Sequence, residues 1–199
     1  MYKFISSFVA VVIVFSVFST VTKAQSFSDV PEDHHFYEEI TYLAEQNIIS
    51  GFQDNTFRPN KVVSRAEAAV MIGRILGLDG TPTDTPYWDV TEETFGSGYI
   101  NETTKAGVFQ GLYGGIFRPW SALTRGDASI VIDRTFTLEL EQEIPFTDVS
   151  PFSRAYPYIK KTFAHGIMVG YTDNTFRPYS GVTRGEFAAI LTRALPYLQ

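Results

Sequence analysis

Hydrophobic and polar positions along this chain follow a pattern that occurs three times. In the first copy, Tyr37 to Gln46 carries Ile40, Leu43 and Ala44 on one face, the spacing of an amphipathic helix. The next stretch, Gly51-Phe52-Gln53-Asp54-Asn55-Thr56-Phe57-Arg58-Pro59, is rich in residues that favour turns and reads as an irregular loop. From Ser64 to about Leu76, the apolar residues Ala66, Ala68, Ala69, Val70, Met71, Ile72, Ile75 and Leu76 surround most of a helical circumference. Such a helix belongs inside a fold rather than on its surface.

The period is visible residue by residue. Phe57-Arg58-Pro59 returns as Phe117-Arg118-Pro119 and Phe176-Arg177-Pro178, at offsets of 60 and then 59 residues. The same offsets relate Asp29-Val30 to Asp89-Val90 and Asp148-Val149, and Gly51 to Gly111 and Gly170. Asn47, Gly107 and Gly166 fall where a left-handed residue would close each first helix. Loops rich in Gly, Thr, Pro and acids separate the copies, which gives units at 25–80, 81–140 and 141–199. A unit of this size is marginal alone. The expected fold is mainly α, with three helix-loop-helix repeats forming one pseudo-threefold bundle, the second helices inside and the first helices outside.

Residues 1–24 have a different character. Lys3 precedes an apolar run from Phe4 to Phe18, and small residues stand at the −3 and −1 positions of a cut after Ala24, the layout of a signal peptide. The run is shorter than the roughly 20 residues a helix needs to span a bilayer. Cleavage would remove Lys3 and Lys23 and no acid, taking the net charge from −6 to −8. An acidic secreted chain argues against a nucleic-acid partner, and no membrane partner is expected after cleavage. The absence of cysteine excludes disulfides, thiolate metal sites and thiol catalysis. His34, His35 and His165 form no metal-binding pattern, no nucleophile or phosphate-loop motif occurs, and no catalytic carboxylate pair is identifiable. Neither an enzyme activity nor a cofactor is expected.

The start of each second helix carries the candidate chemistry. Ser64-Arg65-Ala66-Glu67, Thr124-Arg125-Gly126-Asp127 and Thr183-Arg184-Gly185-Glu186 are capping boxes, in which Ser64, Thr124 and Thr183 cap the helix and Glu67, Asp127 and Glu186 reach back. Capping does not require Arg65, Arg125 or Arg184, and a cation there opposes the helix dipole at about 0.3–1 kcal/mol. A local rule broken three times points to a site. A guanidinium beside free helix N–H groups would receive an anion, gripping a carboxylate through parallel bonds. The alternative is an arginine paired with an acid of a neighbouring unit. Arg58, Arg118 and Arg177 would either brace the loop or line a groove, and Arg74, Arg134 and Arg193 suit a helix C-terminus. Phe52, Trp88, Trp120 and Tyr171 lie beside the loops. Each is expected in the core, with stacking on a sugar as the alternative.

These residues resemble the S-layer homology family. The resemblance rests on the openings Phe27-Ser28-Asp29-Val30, Tyr87-Trp88-Asp89-Val90 and Phe146-Thr147-Asp148-Val149, on the glycine-led loops and on the Thr/Ser-Arg-x-acid helix starts. It covers the chain beyond residue 24. It implies a three-pronged pseudo-trimer at the cell wall or cell surface, with grooves between units that bind secondary cell-wall polysaccharide through a pyruvylated N-acetylmannosamine. By the resemblance, Arg65, Arg125 and Arg184 meet the pyruvate carboxylate. Gly51, Gly111 and Gly170 let the backbone approach the sugar, and Asp29, Asp89 and Asp148 support the groove. Association with a surface-lattice protein is the competing function. Departures from the family pattern are Gly96 and Ala155 where the first unit has Phe36, the loop Gly111-Leu112-Tyr113-Gly114-Gly115 without its Asp, and Gly126 and Gly185 inside the helix start. They imply that the three grooves differ.

Overall fold

The structure is a computed structural model and describes residues 26–198. The expected signal peptide lies outside the described residues. Six helices follow one another: α1 (Tyr37–Glu45), α2 (Arg65–Ile75), α3 (Ser97–Lys105), α4 (Arg125–Phe136), α5 (Tyr156–Ala164) and α6 (Arg184–Ala194), the last running into a 3-10 turn at Leu195–Tyr197. Among the described residues none of them is long and apolar enough to cross a membrane. The first helix of each unit ends at a left-handed residue, Asn47, Gly107 or Gly166, with φ of 58°, 75° and 65°. The second helices are buried along most of their length, whereas α1 buries only Ile40, Leu43 and Ala44.

Helix packing crosses the unit boundaries. α2 packs on α3, α4 on α5, and α6 returns to α1, so each second helix lies against the first helix of the following unit. The backbone closes the same ring. Val63 N–H donates to Val182 O, Val182 N–H to Leu123 O, and Leu123 N–H to Val63 O, each at 2.9 Å. All three side chains are fully buried. A single unit therefore lacks the partner of both its helices, which is the physical reason a unit of this size does not make a core alone.

A glycine stands on one side of each of these contacts. The first-turn residues Ala66, Gly126 and Gly185 face Gly96, Ala155 and Phe36 of the next unit. A Cβ at Gly185 would lie 2.3 Å from the Phe36 ring, and one at Gly126 would lie 3.3 Å from Ala155 Cβ. Gly96 sits at φ 76°, and a Cβ there would meet Val70 at 2.8 Å. The two departures in the helix starts, Gly126 and Gly185, and the two at the position of Phe36, Gly96 and Ala155, thus lie on the same set of contacts.

Candidate functional site

Each loop is shaped by the aspartate of its own opening. Both carboxylate oxygens of Asp29 accept backbone N–H groups, from Phe57 and Arg58 at 2.7 Å each. Asp89 holds Phe117 and Arg118 at 2.8 and 2.7 Å, and Asp148 holds Phe176 and Arg177 at 2.8 Å. This fixes Arg58, Arg118 and Arg177 in the left-handed region, with φ of 60°, 58° and 58°. An L-residue reaches that region at a cost of about 1–2 kcal/mol, and charge-assisted bonds of about 1.5–3 kcal/mol each offset it.

Arg58 and Arg177 brace their loops: each guanidinium lies 3.9 Å from an aromatic centroid, Phe52 or Tyr171, and pairs with Asp54 or Asp173. Asp54 also accepts from Thr56, and these bonds draw its pKa down to about 2. In the second unit Leu112 and Gly114 occupy the corresponding places, so Arg118 has neither support.

The glycines have a packing role. A Cβ on Gly51, Gly111 or Gly170 would lie 2.4, 2.2 or 2.1 Å from the ring of Phe27, Tyr87 or Phe146, and close to the carbonyl of Thr56, Ile116 or Thr175. The glycine lets the opening aromatic of each unit tuck under its loop.

At the helix starts, Ser64 accepts from Glu67 N–H while Glu67 accepts from Ser64 N–H at 2.8 Å, and Thr183 and Glu186 do the same. In the second unit only half of the box forms. Thr124 accepts from Asp127 N–H, but the shorter Asp127 turns its other oxygen to Arg154 at 3.0 Å.

The helix N–H groups expected to await an anion are already occupied. Arg65 N–H donates to Ser121 O and Ala66 N–H to Pro119 O, both at 2.9 Å. Arg125 and Gly126 donate to Ser180 and Pro178 at 2.8 Å, and Arg184 and Gly185 to Lys61 and Pro59 at 2.8 and 2.9 Å. The next unit in the ring is the acceptor for these amides, which removes the helix terminus as an anion site.

The arginine side chains follow the same direction. Arg65, Arg125 and Arg184 are 7%, 7% and 3% exposed. Nε of each donates to the carbonyl of Phe117, Phe176 or Phe57 at 2.7–2.8 Å. Nη2 donates to Gln110, Val169 or Ser50 O at 2.7–3.0 Å. Each guanidinium also rests on the phenylalanine it bonds, 4.4–4.6 Å from the ring centroid. Burial pulls all three pKa values below the ordinary arginine value. These arginines tie one unit to the loop of the next, a folding role that explains a cation where the helix dipole disfavours it.

The outward edges of the three guanidinium groups differ. Arg184 Nη1 meets Glu67 Oε1 at 3.2 Å, and the same oxygen takes Lys61 Nζ at 2.8 Å. This is the pairing with a neighbouring unit's acid that the sequence left open. Arg65 lies beside the Asp127–Arg154 ion pair, whose two charges act on it in opposite senses. Arg125 lines a cleft of about 180 Å³ with Phe36, Gly170, Tyr171, Glu186 and Arg193. Among the described residues its Nη1, like that of Arg65, has no protein acceptor, and neither is sealed from solvent, since the fully buried side-chain atoms without a hydrogen-bond partner are Asp133 Oδ1, which Lys161 meets at 3.3 Å, and Thr192 Oγ1.

The groove position that sequence reading missed is 35/95/154. His35, Phe95 and Arg154 stand one residue before the position compared there, and Phe95 and Arg154 reach the grooves. Trp88 and Trp120, expected in the core, are 74% and 66% exposed.

Comparison with known proteins agrees with the threefold repeat. The family model described as "S-layer homology domain" matches residues 26–69, 86–129 and 145–188. Cell surface glycoprotein 1 of Acetivibrio thermocellus is 32% identical over 161 residues, which is 74% of this chain and 7% of that protein. The cellulosome-anchoring protein of the same organism is 28% identical over 87% of this chain and 40% of its own length. The surface-layer 125 kDa protein of Lysinibacillus sphaericus is 27% identical over 97% of this chain and 17% of its own. The chain thus spans less than half the length of each of these relatives. With the family pattern matched in all three units, and with the aspartate, glycine and arginine of each unit in corresponding structural places, the chain belongs to the S-layer homology family.

Proposed function

We propose that this chain is a non-catalytic anchor at the bacterial cell surface, which binds an acidic, pyruvylated secondary cell-wall polysaccharide in the grooves between its units. The observation that carries this reading is the Arg125 guanidinium. Two carbonyls fix its orientation, a phenylalanine supports its face, and its remaining edge opens into a cleft. A preoriented, partly desolvated guanidinium binds a carboxylate strongly because little side-chain freedom is lost. The Gly170 loop and Tyr171 beside it offer the rest of the sugar a backbone edge and an aromatic face. The likeness to anchoring and surface-layer proteins supports the same conclusion.

On this reading the grooves are unequal. Arg125 and Arg65 each leave Nη1 without a protein acceptor among the described residues, but the Asp127–Arg154 pair flanks Arg65, and Glu67 competes for Arg184. The test is binding of purified protein to wall sacculi before and after chemical removal of the pyruvate ketal. Ketal removal is expected to abolish most of the binding, and undiminished binding to the ketal-free polymer refutes the reading.

A further inference from the structure

A second cleft, of about 430 Å³, lies between the first two units and away from Arg125. Its walls are Phe52, Val62 and Ala122 with the exposed rings of Phe95 and Trp120, and Lys61, Ser64 and Glu67 are set among them. It adjoins the hollow in front of Arg184, with which it shares Phe52, Glu67 and Phe95. Phe95 is 53% exposed. Trp88 ties its indole N–H to Gly114 O at 2.9 Å, whereas among the described residues Trp120 has no such acceptor.

The repeat register makes this cleft unique to one interface. The positions of Phe52, Lys61, Phe95 and Trp120 are filled by Leu112, Ser121, Arg154 and Tyr179 between units two and three, and by Tyr171, Ser180, His35 and Asn60 between units three and one. Its electrostatics also differ from the Arg125 cleft, because Glu67 takes the outward edge of Arg184 and presents a carboxylate to any ligand there. That point offers no free guanidinium edge to an anion. It can serve hydroxyl groups, since Glu67 accepts and Lys61 and Ser64 donate, and the flat faces of Trp120 and Phe95 match the C–H face of a pyranose.

We infer that this cleft is a subsite for uncharged sugar residues of the wall polysaccharide, held by stacking on Trp120 and by hydrogen bonds to Glu67 and Lys61. The inference rests on the polysaccharide reading above but not on the pyruvate ketal. One chain would then be gripped by its acidic residue at Arg125 and by neutral residues here, and two linked contacts raise avidity beyond either alone.

The chain has two tryptophans, so Trp88→Phe leaves Trp120 as the sole indole reporter. The probe is a set of ketal-free fragments of the wall polysaccharide, two to four sugars long. A saturable blue shift of Trp120 emission is expected, together with affinity about five- to tenfold weaker in Trp120→Ala. Both substitutions fall on exposed side chains, so the fold is retained. Fragments that bind with no change in Trp120 emission and equal affinity in Trp120→Ala overturn the inference, as do fragments that do not bind at all. Failure of the ketal reading shows separately, as wall binding indifferent to ketal removal.

Discussion

Replacing Arg184 by alanine should loosen the closure between the last unit and the first. The side chain donates to Phe57 O at 2.8 Å and Ser50 O at 2.9 Å and pairs with Glu67 at 3.2 Å, at 3% exposure. Two charge-assisted bonds at about 1.5–3 kcal/mol each set a loss of about 3–6 kcal/mol. Water entering the vacated space would satisfy part of the carbonyl demand, and Glu67 keeps its bond to Lys61. The expected cost therefore lies near the lower end, about 3 kcal/mol. For a domain of this size that corresponds to a fall in melting temperature of about 6–12 °C. Arg184→Lys should retain roughly half of the stability, because a single ammonium cannot serve two carbonyls in the plane of a guanidinium. Urea denaturation followed by helical circular dichroism, with Arg65→Ala and Arg125→Ala in parallel, measures the effect. If all three alanine variants unfold within 0.5 kcal/mol of the unsubstituted protein, the inter-unit tie is refuted. Wall-binding assays on these variants should be read against their folded fraction, since loss of fold and loss of grip would otherwise look alike.

Two further outcomes follow from the same contacts. Burial pushes the Glu67 carboxyl up, but hydrogen bonds from Lys61 and Ser64 and the charge of Arg184 outweigh it and hold the pKa below the ordinary 4.5. The charged form is thus favoured by folding, so its stabilisation is present above pH 4.5 and is lost as pH falls through the folded value. Glu67→Gln should flatten that acid limb in a pH series of urea midpoints, and an unchanged limb argues against the coupling. Gly170→Ala would set a methyl 2.1 Å from the Phe146 ring and 2.8 Å from Thr175 O. A loss of about 1–3 kcal/mol is expected by thermal melting, and a variant as stable as the parent contradicts the packing role.

The helix-loop-helix units, the helix limits near Tyr37 and Ser64, and the left-handed ends at Asn47, Gly107 and Gly166 were legible because each depends on residues close in sequence. Periodicity marks the buried helix face, a hydroxyl followed three residues later by an acid marks a helix start, and a small or amide residue marks its end. The Arg65, Arg125 and Arg184 motif was visible as an anomaly, but its structural partners were not. Phe57 O and Ser50 O lie 127 and 134 residues from Arg184, and no local rule connects them. Asp127 is similar. Its spacing predicts a full capping box, and its shorter side chain together with Arg154 of the next unit, 27 residues on, explains why half of it is missing.

The threefold repeat, the all-helical units, the family and the positions at which chemistry concentrates are all readable from the order of residues along the chain. Only the folded chain shows which unit each second helix packs against, that an acid takes the outward edge of Arg184 but not of Arg125 or Arg65, and that both tryptophans face solvent. The physical reason is the ring. Each unit leaves its helix N–H groups, its arginine and one helix face unsatisfied; a neighbour's helix covers the face, and backbone carbonyls, which carry no side-chain signature to read, accept from the N–H groups and the arginine.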